Sequence, residues 1–191
     1  MMLGEAPKAG QPVPAYEYGA IVEGNLCYDN GARGICVTWS DNVTIRYNTL
    51  YKNCRCQIEG TMFGDMGVYT GNNTRIYDNI VWAGNFARQA LVAGTAHQFP
   101  SAKTHVTAVN NVFFGGPVEL LRDCGTATGT VVADPMFVAA GIDPATADFH
   151  LKPGSPAIGK ADGEPAPSPD LGGLSRPSKP KGDLGAYAFP R

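Results

Sequence analysis

Arg46-Tyr-Asn48-Thr-Leu-Tyr51 and Tyr77-Asp-Asn79-Ile-Val-Trp82 repeat one pattern 31 residues apart, and two further copies frame them. Glu23-Gly-Asn25-Leu-Cys-Tyr28 stands 23 residues before the first, and Val109-Asn-Asn111-Val-Phe-Phe114 stands 32 residues after the second. Three residues before the shared asparagine are Val22, Ile45, Ile76 and Ala108; two after it are Cys27, Leu50, Val81 and Phe113. Apolar residues thus alternate on both sides of a polar hinge, the pattern of strand, bend and strand. Self-similarity at this period marks a solenoid, in which each coil buries its apolar side only against its neighbours.

Asparagine suits the hinge because it tolerates a left-handed backbone and bonds its own main chain. In a stack, its amide can also bond up and down the column at the strand spacing of roughly 4.8 Å. A structural role for Asn25, Asn48, Asn79 and Asn111 therefore outweighs a catalytic one. Asn30 and Asn53 recur five residues later and start the next turn, and Asn85 does so one residue late. The other strand of each coil aligns too. Gly34-Ile-Cys-Val-Thr-Trp-Ser40 sets Ile35 and Val37 against Met66 and Val68 of Asp65-Met-Gly-Val-Tyr-Thr-Gly71, and Gln89-Ala-Leu-Val-Ala-Gly94 is a third copy. The extra residues of the longer intervals fall near Arg55–Gly64 and Ala96–Thr104 and read as loops thrown out of a constant coil, where repeat proteins place function.

Composition agrees. Gly at 24 and Pro at 15 make about a fifth of the 191 residues, which favours turns over long helices. A net charge of -2 gives no electrostatic case for nucleic acid. No run reaches the roughly 20 apolar residues that span a bilayer. Met1 to Gly10 has no apolar stretch of signal-peptide type, so no export signal is expected there. Asn42-Val-Thr44 and Asn72-Asn-Thr74 fit the glycosylation acceptor pattern. Cys27, Cys36, Cys54, Cys56 and Cys124 are an odd set, read as buried thiols with one disulfide as the alternative.

The pattern φ-x-φ-x-x-Asn-x-φ-x-x-Asn over residues 18 to 116 resembles the right-handed parallel β-helix family that includes many secreted polysaccharide lyases, pectinases and surface proteins. Asp134-Pro-Met-Phe137, Asp148-Phe-His-Leu-Lys-Pro-Gly-Ser-Pro-Ala-Ile158, Arg176-Pro177 and Asp183-Leu-Gly-Ala-Tyr187 resemble, in order, the C-terminal finish of many bacterial members. The expected architecture is an all-β, right-handed parallel β-helix of four to five short coils with a C-terminal closing segment. Residues 1–17 form a tail, 18–133 the coils and 134–191 the closure. Phe149, Leu151, Ile158, Leu184, Tyr187 and Phe189 are expected to cover the open end of the last coil. The resemblance also implies an extracellular or cell-surface location.

Outward-facing columns carry the candidate chemistry. Tyr28, Tyr51, Trp82 and Phe114 place one ring per coil, three residues after the asparagine. They form either a substrate-binding ladder for sugar faces or a column covered by loops, by the C-terminal traverse or by another subunit. Lyases of the resembling family remove the proton next to a uronate carboxylate with a basic side chain, often with calcium. Arg46, Lys52, Arg75 and Tyr77 are the catalytic candidates for that chemistry. The competing reading is cross-strand ion pairing, Glu23 with Arg46 and Asp29 with Lys52. Glu59 and Asp65, placed in an inserted loop, are the one acid pair worth testing for glycoside hydrolysis. No metal site and no cofactor is expected; calcium could use Asp41, Asp65 or Asp78. His97, His105 and His150 lack metal spacing.

Three functions follow. The first is an extracellular carbohydrate-associated module, binding glycan or descended from a lyase. The second is a structural protein self-assembling into homo-oligomers through open coil ends. The third is an active polysaccharide lyase.

Overall fold

The computed structural model describes residues 18–56, 64–84, 89–94, 104–116, 118–120, 125–161, 166–176 and 182–190. Short β-branched and aromatic runs between left-handed bends make every one of these elements a strand, and no helix occurs among the described residues. Sheet A stacks β1 (Ala20–Glu23), β4 (Val43–Arg46), β7 (Thr74–Tyr77), β10 (Val106–Val109) and β13 (Gly125–Thr128). Sheet B stacks β2 (Leu26–Tyr28), β5 (Thr49–Tyr51), β8 (Ile80–Trp82) and β11 (Val112–Phe114). Sheet C stacks β3 (Ile35–Thr38), β6 (Gly64–Tyr69), β9 (Gln89–Gly94) and β12 (Val118–Leu120). All three are parallel and in register, so four coils are complete, and β13 with the Val131–Val112 bridge begins a fifth.

The interior is the alternation made solid. Ile45 pairs with Ile76, Leu50 with Val81, and Met66 with both Ile35 and Leu91, and each of these except Ile35 is fully buried. At roughly 25 cal/mol per Å² of apolar surface, this tube is the main source of stability. The asparagine column forms as the spacing requires. The Asn25 amide donates to Asn48 Oδ1 at 2.9 Å, Asn48 to Asn79 at 3.0 Å and Asn79 to Asn111 at 3.0 Å. The left-handed bend, however, sits one residue earlier than expected. Gly24, Tyr47, Asp78 and Asn110 have φ of 67°, 52°, 58° and 54°. Placing the strain there leaves each asparagine amide pointing along the stack, where it also bonds strand carbonyls such as Ile45 O.

The C-terminal segment is the larger correction. It begins with an antiparallel hairpin of β14 (Phe137–Ala139) and β15 (Asp148–Leu151) and then runs along the flank of sheet B rather than over the end of the last coil. Phe149, Leu151 and Leu184 join Tyr47, Tyr51, Ile80 and Val112 in a second core, with Ile158, Tyr187 and Phe189 packed against it. The outer face of sheet B is too apolar to leave in water, and that demand decides where the segment lies. Carboxylates hold it in shape. Asp183 accepts from the Gly159 and Phe189 amides at 2.8 and 2.9 Å, and Asp170 from Leu174 and Ala188 at 2.7 and 2.6 Å. Two of its backbone N–H groups tie it to the coils: Gly185 donates to the Asp78 carbonyl and Ala186 to the Thr49 hydroxyl, each at 2.9 Å.

Candidate functional site: the aromatic column and its open end

Parallel in-register stacking of β2, β5, β8 and β11 puts Tyr28, Tyr51, Trp82 and Phe114 in one column. Tyr51 and Trp82 meet edge to face at 5.2 Å, and Trp82 and Phe114 at 4.8 Å, the arrangement that ring quadrupoles favour. The C-terminal hairpin lies on this column. Phe149 packs 5.3 Å from Tyr28 and 5.2 Å from Tyr51, and Phe137 stacks nearly parallel to Trp82 at 6.2 Å. Tyr51 is consequently only 5% exposed, so a four-ring sugar platform does not exist. Of the four rings, Trp82 and Phe114 keep the upper, half-buried end, while Tyr28 is half-buried at the lower end.

A cleft of about 420 Å³ opens at that upper end. Its walls are Trp82, Phe137 and the exposed apolar residues Met136, Val138 and Ala140, and its polar groups are Asp134 and Lys152. Asp134 is held by the Met136 amide, which donates to its Oδ1 at 2.7 Å. Lys52 approaches the same rings from the coil below. Its side chain rises across Gly84, where a Cβ would meet Lys52 Cγ at 2.6 Å, and its ammonium lies 5.3 Å from Tyr51 and 5.6 Å from Trp82. Two lysines and one acid thus surround a partly exposed tryptophan. The sequence placed Trp82 and Lys52; Asp134 and Lys152 went unmarked because they lie within the closing segment.

The four catalytic candidates are not brought to one point. Arg46, Arg75 and Tyr77 share the outer face of sheet A, and Lys52 sits past β5 at the next bend. Glu23 accepts from Arg46 at 2.6 Å, the expected vertical pair. Burial alone would lower the Arg46 pKa, but its hydrogen bond to Glu23 and the Glu23 charge help raise it overall. The Arg75 guanidinium is exposed, 5.7 Å from the Tyr77 ring. The expected Asp29–Lys52 pair is replaced: Asp29 accepts from Arg55 at 2.9 Å, because Lys52 is drawn to the rings above it.

Asp65 is not in a loop. It stands in β6, fully buried, and takes the third place in the column of Asn30 and Asn53. Asn30 donates to Asn53 at 2.6 Å, and Asn53 donates to Asp65 from its side chain at 2.6 Å and its backbone at 2.9 Å. Burial pushes this carboxyl up to about 7, against the pull of both Asn53 bonds. Burial and then the Asp65 charge push the neighbouring Cys54 thiol up to about 11. A sequestered acid of this kind has no access to a glycoside, and its proposed partner Glu59 lies outside the described residues, as do Asn85, His97 and Cys124.

Cys27, Cys36, Cys54 and Cys56 are free thiols, Cys54 buried and Cys56 exposed. Asp41 accepts from the Asn72 amide and Asp78 is buried in the bend of the main column. No cluster of three or more metal-ligating side chains occurs among the described residues. His150 pairs with Asp148 at 2.6 Å and rests on Tyr187, inside the closing segment. His105 is exposed, its backbone continuing the sheet bonding. No described helix is long and apolar enough to cross a membrane.

With three parallel sheets, an inner amide column and in-register coils in place, the class is a β-solenoid. A sequence model of the family described as right handed beta helix region matches residues 13–132, and the chain belongs to that family. No curated protein and no solved structure matches the chain.

Proposed function

We propose that this β-helix is an extracellular glycan-binding module whose ligand enters the cleft beside Trp82. The observation that carries this reading is the coexistence of an apolar, partly exposed tryptophan with an acid and a lysine in one open cleft of about 420 Å³. Sugars present CH faces beside hydroxyls, so they need an apolar wall and a few fixed polar groups within reach of each other. Trp82, Met136 and Val138 supply the wall; Asp134 and Lys152 supply an acceptor and a donor.

Binding without turnover is favoured over lyase activity. Arg46 is committed to Glu23, Lys52 lies at a different bend from Arg75 and Tyr77, and the Arg75–Tyr77 pair stands on the outer face of sheet A rather than in the Trp82 cleft. Electrophoresis through gels containing neutral and acidic polysaccharides tests the reading. Retardation by at least one glycan, lost in Trp82→Ala, is the expected result. Unchanged mobility of the wild type in every gel would overturn it. A rise in ultraviolet absorbance from unsaturated sugars would replace binding by lyase activity.

A further inference from the structure

The two ends of the solenoid differ, and their differences match. At the lower end, Val22 of β1 and Cys27 of β2 are only partly buried although their counterparts in the next coil, Ile45 and Leu50, are fully buried. On sheet C of that same end, Ile35 and Val37 are already just 7% and 3% exposed. Among the described residues, the lower end is therefore open beneath sheets A and B, whereas its sheet C side chains are buried. At the upper end sheets A and B reach a fifth level, with β13 and the Val131 bridge, whereas sheet C stops at β12 among the described residues. One end projects by a level where the other is recessed.

Backbone polarity matches as well. Asn110 donates to Thr128 O, so Thr128 faces the coil below, and strand alternation turns the N–H and C=O of Ala127 to the open end. Ala20 donates upward to Asn42 O, so Ile21 and Glu23 turn theirs to the opposite open end. Ile21 is 60% exposed. The amide column is incomplete in the same sense. Each Oδ1 accepts from the coil beneath, but that of Asn25 accepts from no described residue.

We propose that copies of this chain stack end to end, with β1 of one continuing sheet A above β13 of the next. Ala127 then donates to Ile21 O and accepts from Glu23 N–H of the added copy, in the parallel register that every sheet already uses. Such a head-to-tail contact does not close on itself, so growth continues with concentration. Unpaired edge strands favour this kind of addition.

Sedimentation of the full chain across a wide concentration range tests it. The expected result is an average mass rising well past that of a dimer, with Ala127→Lys and Ile21→Pro remaining at monomer mass. Ala127 is exposed and the Ile21 amide faces away from β4, so both variants should keep the wild-type melting temperature. Mixed into wild type, Ala127→Lys should shorten the stacks, since it retains only its lower contact. A monomer at every concentration, growth that stops at two copies, or well-folded variants that stack like the wild type would each overturn the proposal.

Discussion

The Asn53 side chain donates to the Asp65 carboxylate over 2.6 Å, ending a column of asparagines on a buried acid. In the main column an asparagine fills every such place, as Asn79 does above Asn48. A protonated Asp65 resembles an amide; an ionised one is a charge inside a tube of apolar residues.

That difference sets a pH dependence. The folded pKa, raised to about 7, lies above the ordinary 3.8, so the folded chain holds a proton that the unfolded chain releases. Stability is full below the unfolded value, falls as pH rises from about 4 toward 7, and levels off beyond. At about 1.4 kcal/mol per unit, the fall is at most roughly 4 kcal/mol. In Asp65→Asn, Oδ1 can accept both Asn53 donors as Asn53 Oδ1 does from Asn30, so the fall should vanish. Urea denaturation at pH 5 and pH 8 checks this; equal pH sensitivity in the two proteins would refute it.

Asn79→Ala should cost roughly 3 kcal/mol, because it leaves the Asn48 backbone N–H without its acceptor inside the core and takes one hydrogen bond each from the Asn48 amide and the Ile45 carbonyl. Asn25→Ala, at the exposed end of the same column, should cost under about 1 kcal/mol. Equal losses in denaturant titrations would show that burial, not the column, carries the energy.

Arg176 fastens the closing segment. Its guanidinium donates to Asp183 O at 3.0 Å and Gly185 O at 2.6 Å and lies 5.2 Å from the Tyr47 ring. Arg176→Lys loses the planar fork and should destabilise by about 2 kcal/mol. Amide hydrogen exchange locates the effect: Gly185 and Ala186 should exchange faster, while Ile76 and Val81 in the inner tube stay protected. Uniform acceleration would instead mean that the segment and the coils unfold together.

Phe149→Ala removes the ring shared by Tyr28 and Tyr51 and should cost about 3 to 5 kcal/mol. It should also expose tyrosine to solvent, read as acrylamide quenching of fluorescence. An unchanged quenching constant would place the cover elsewhere.

The coils were legible from their spacing alone. A strand buries every second residue, so Val22, Ile45, Ile76 and Ala108 had to share one side, and in-register stacking of identical hinges had to put Asn25, Asn48, Asn79 and Asn111 in one column. The ring column of Tyr28, Tyr51, Trp82 and Phe114 followed from the same rule. Local pattern does not report long-range contacts, and there the reading was incomplete. Nothing in Asp148–Leu151 says that it will lie beside β5 rather than over β13, nor that Lys52 will turn from Asp29 to Trp82.

The sequence by itself determined the repeat, the inner faces and the amide column, because these depend only on strand alternation and the interval between hinges. Tertiary structure decided which outer face is covered, where the cleft opens and which acid is buried. Those outcomes depend on segments far apart in the chain competing for the same apolar surface, and that competition is settled by packing rather than by local pattern.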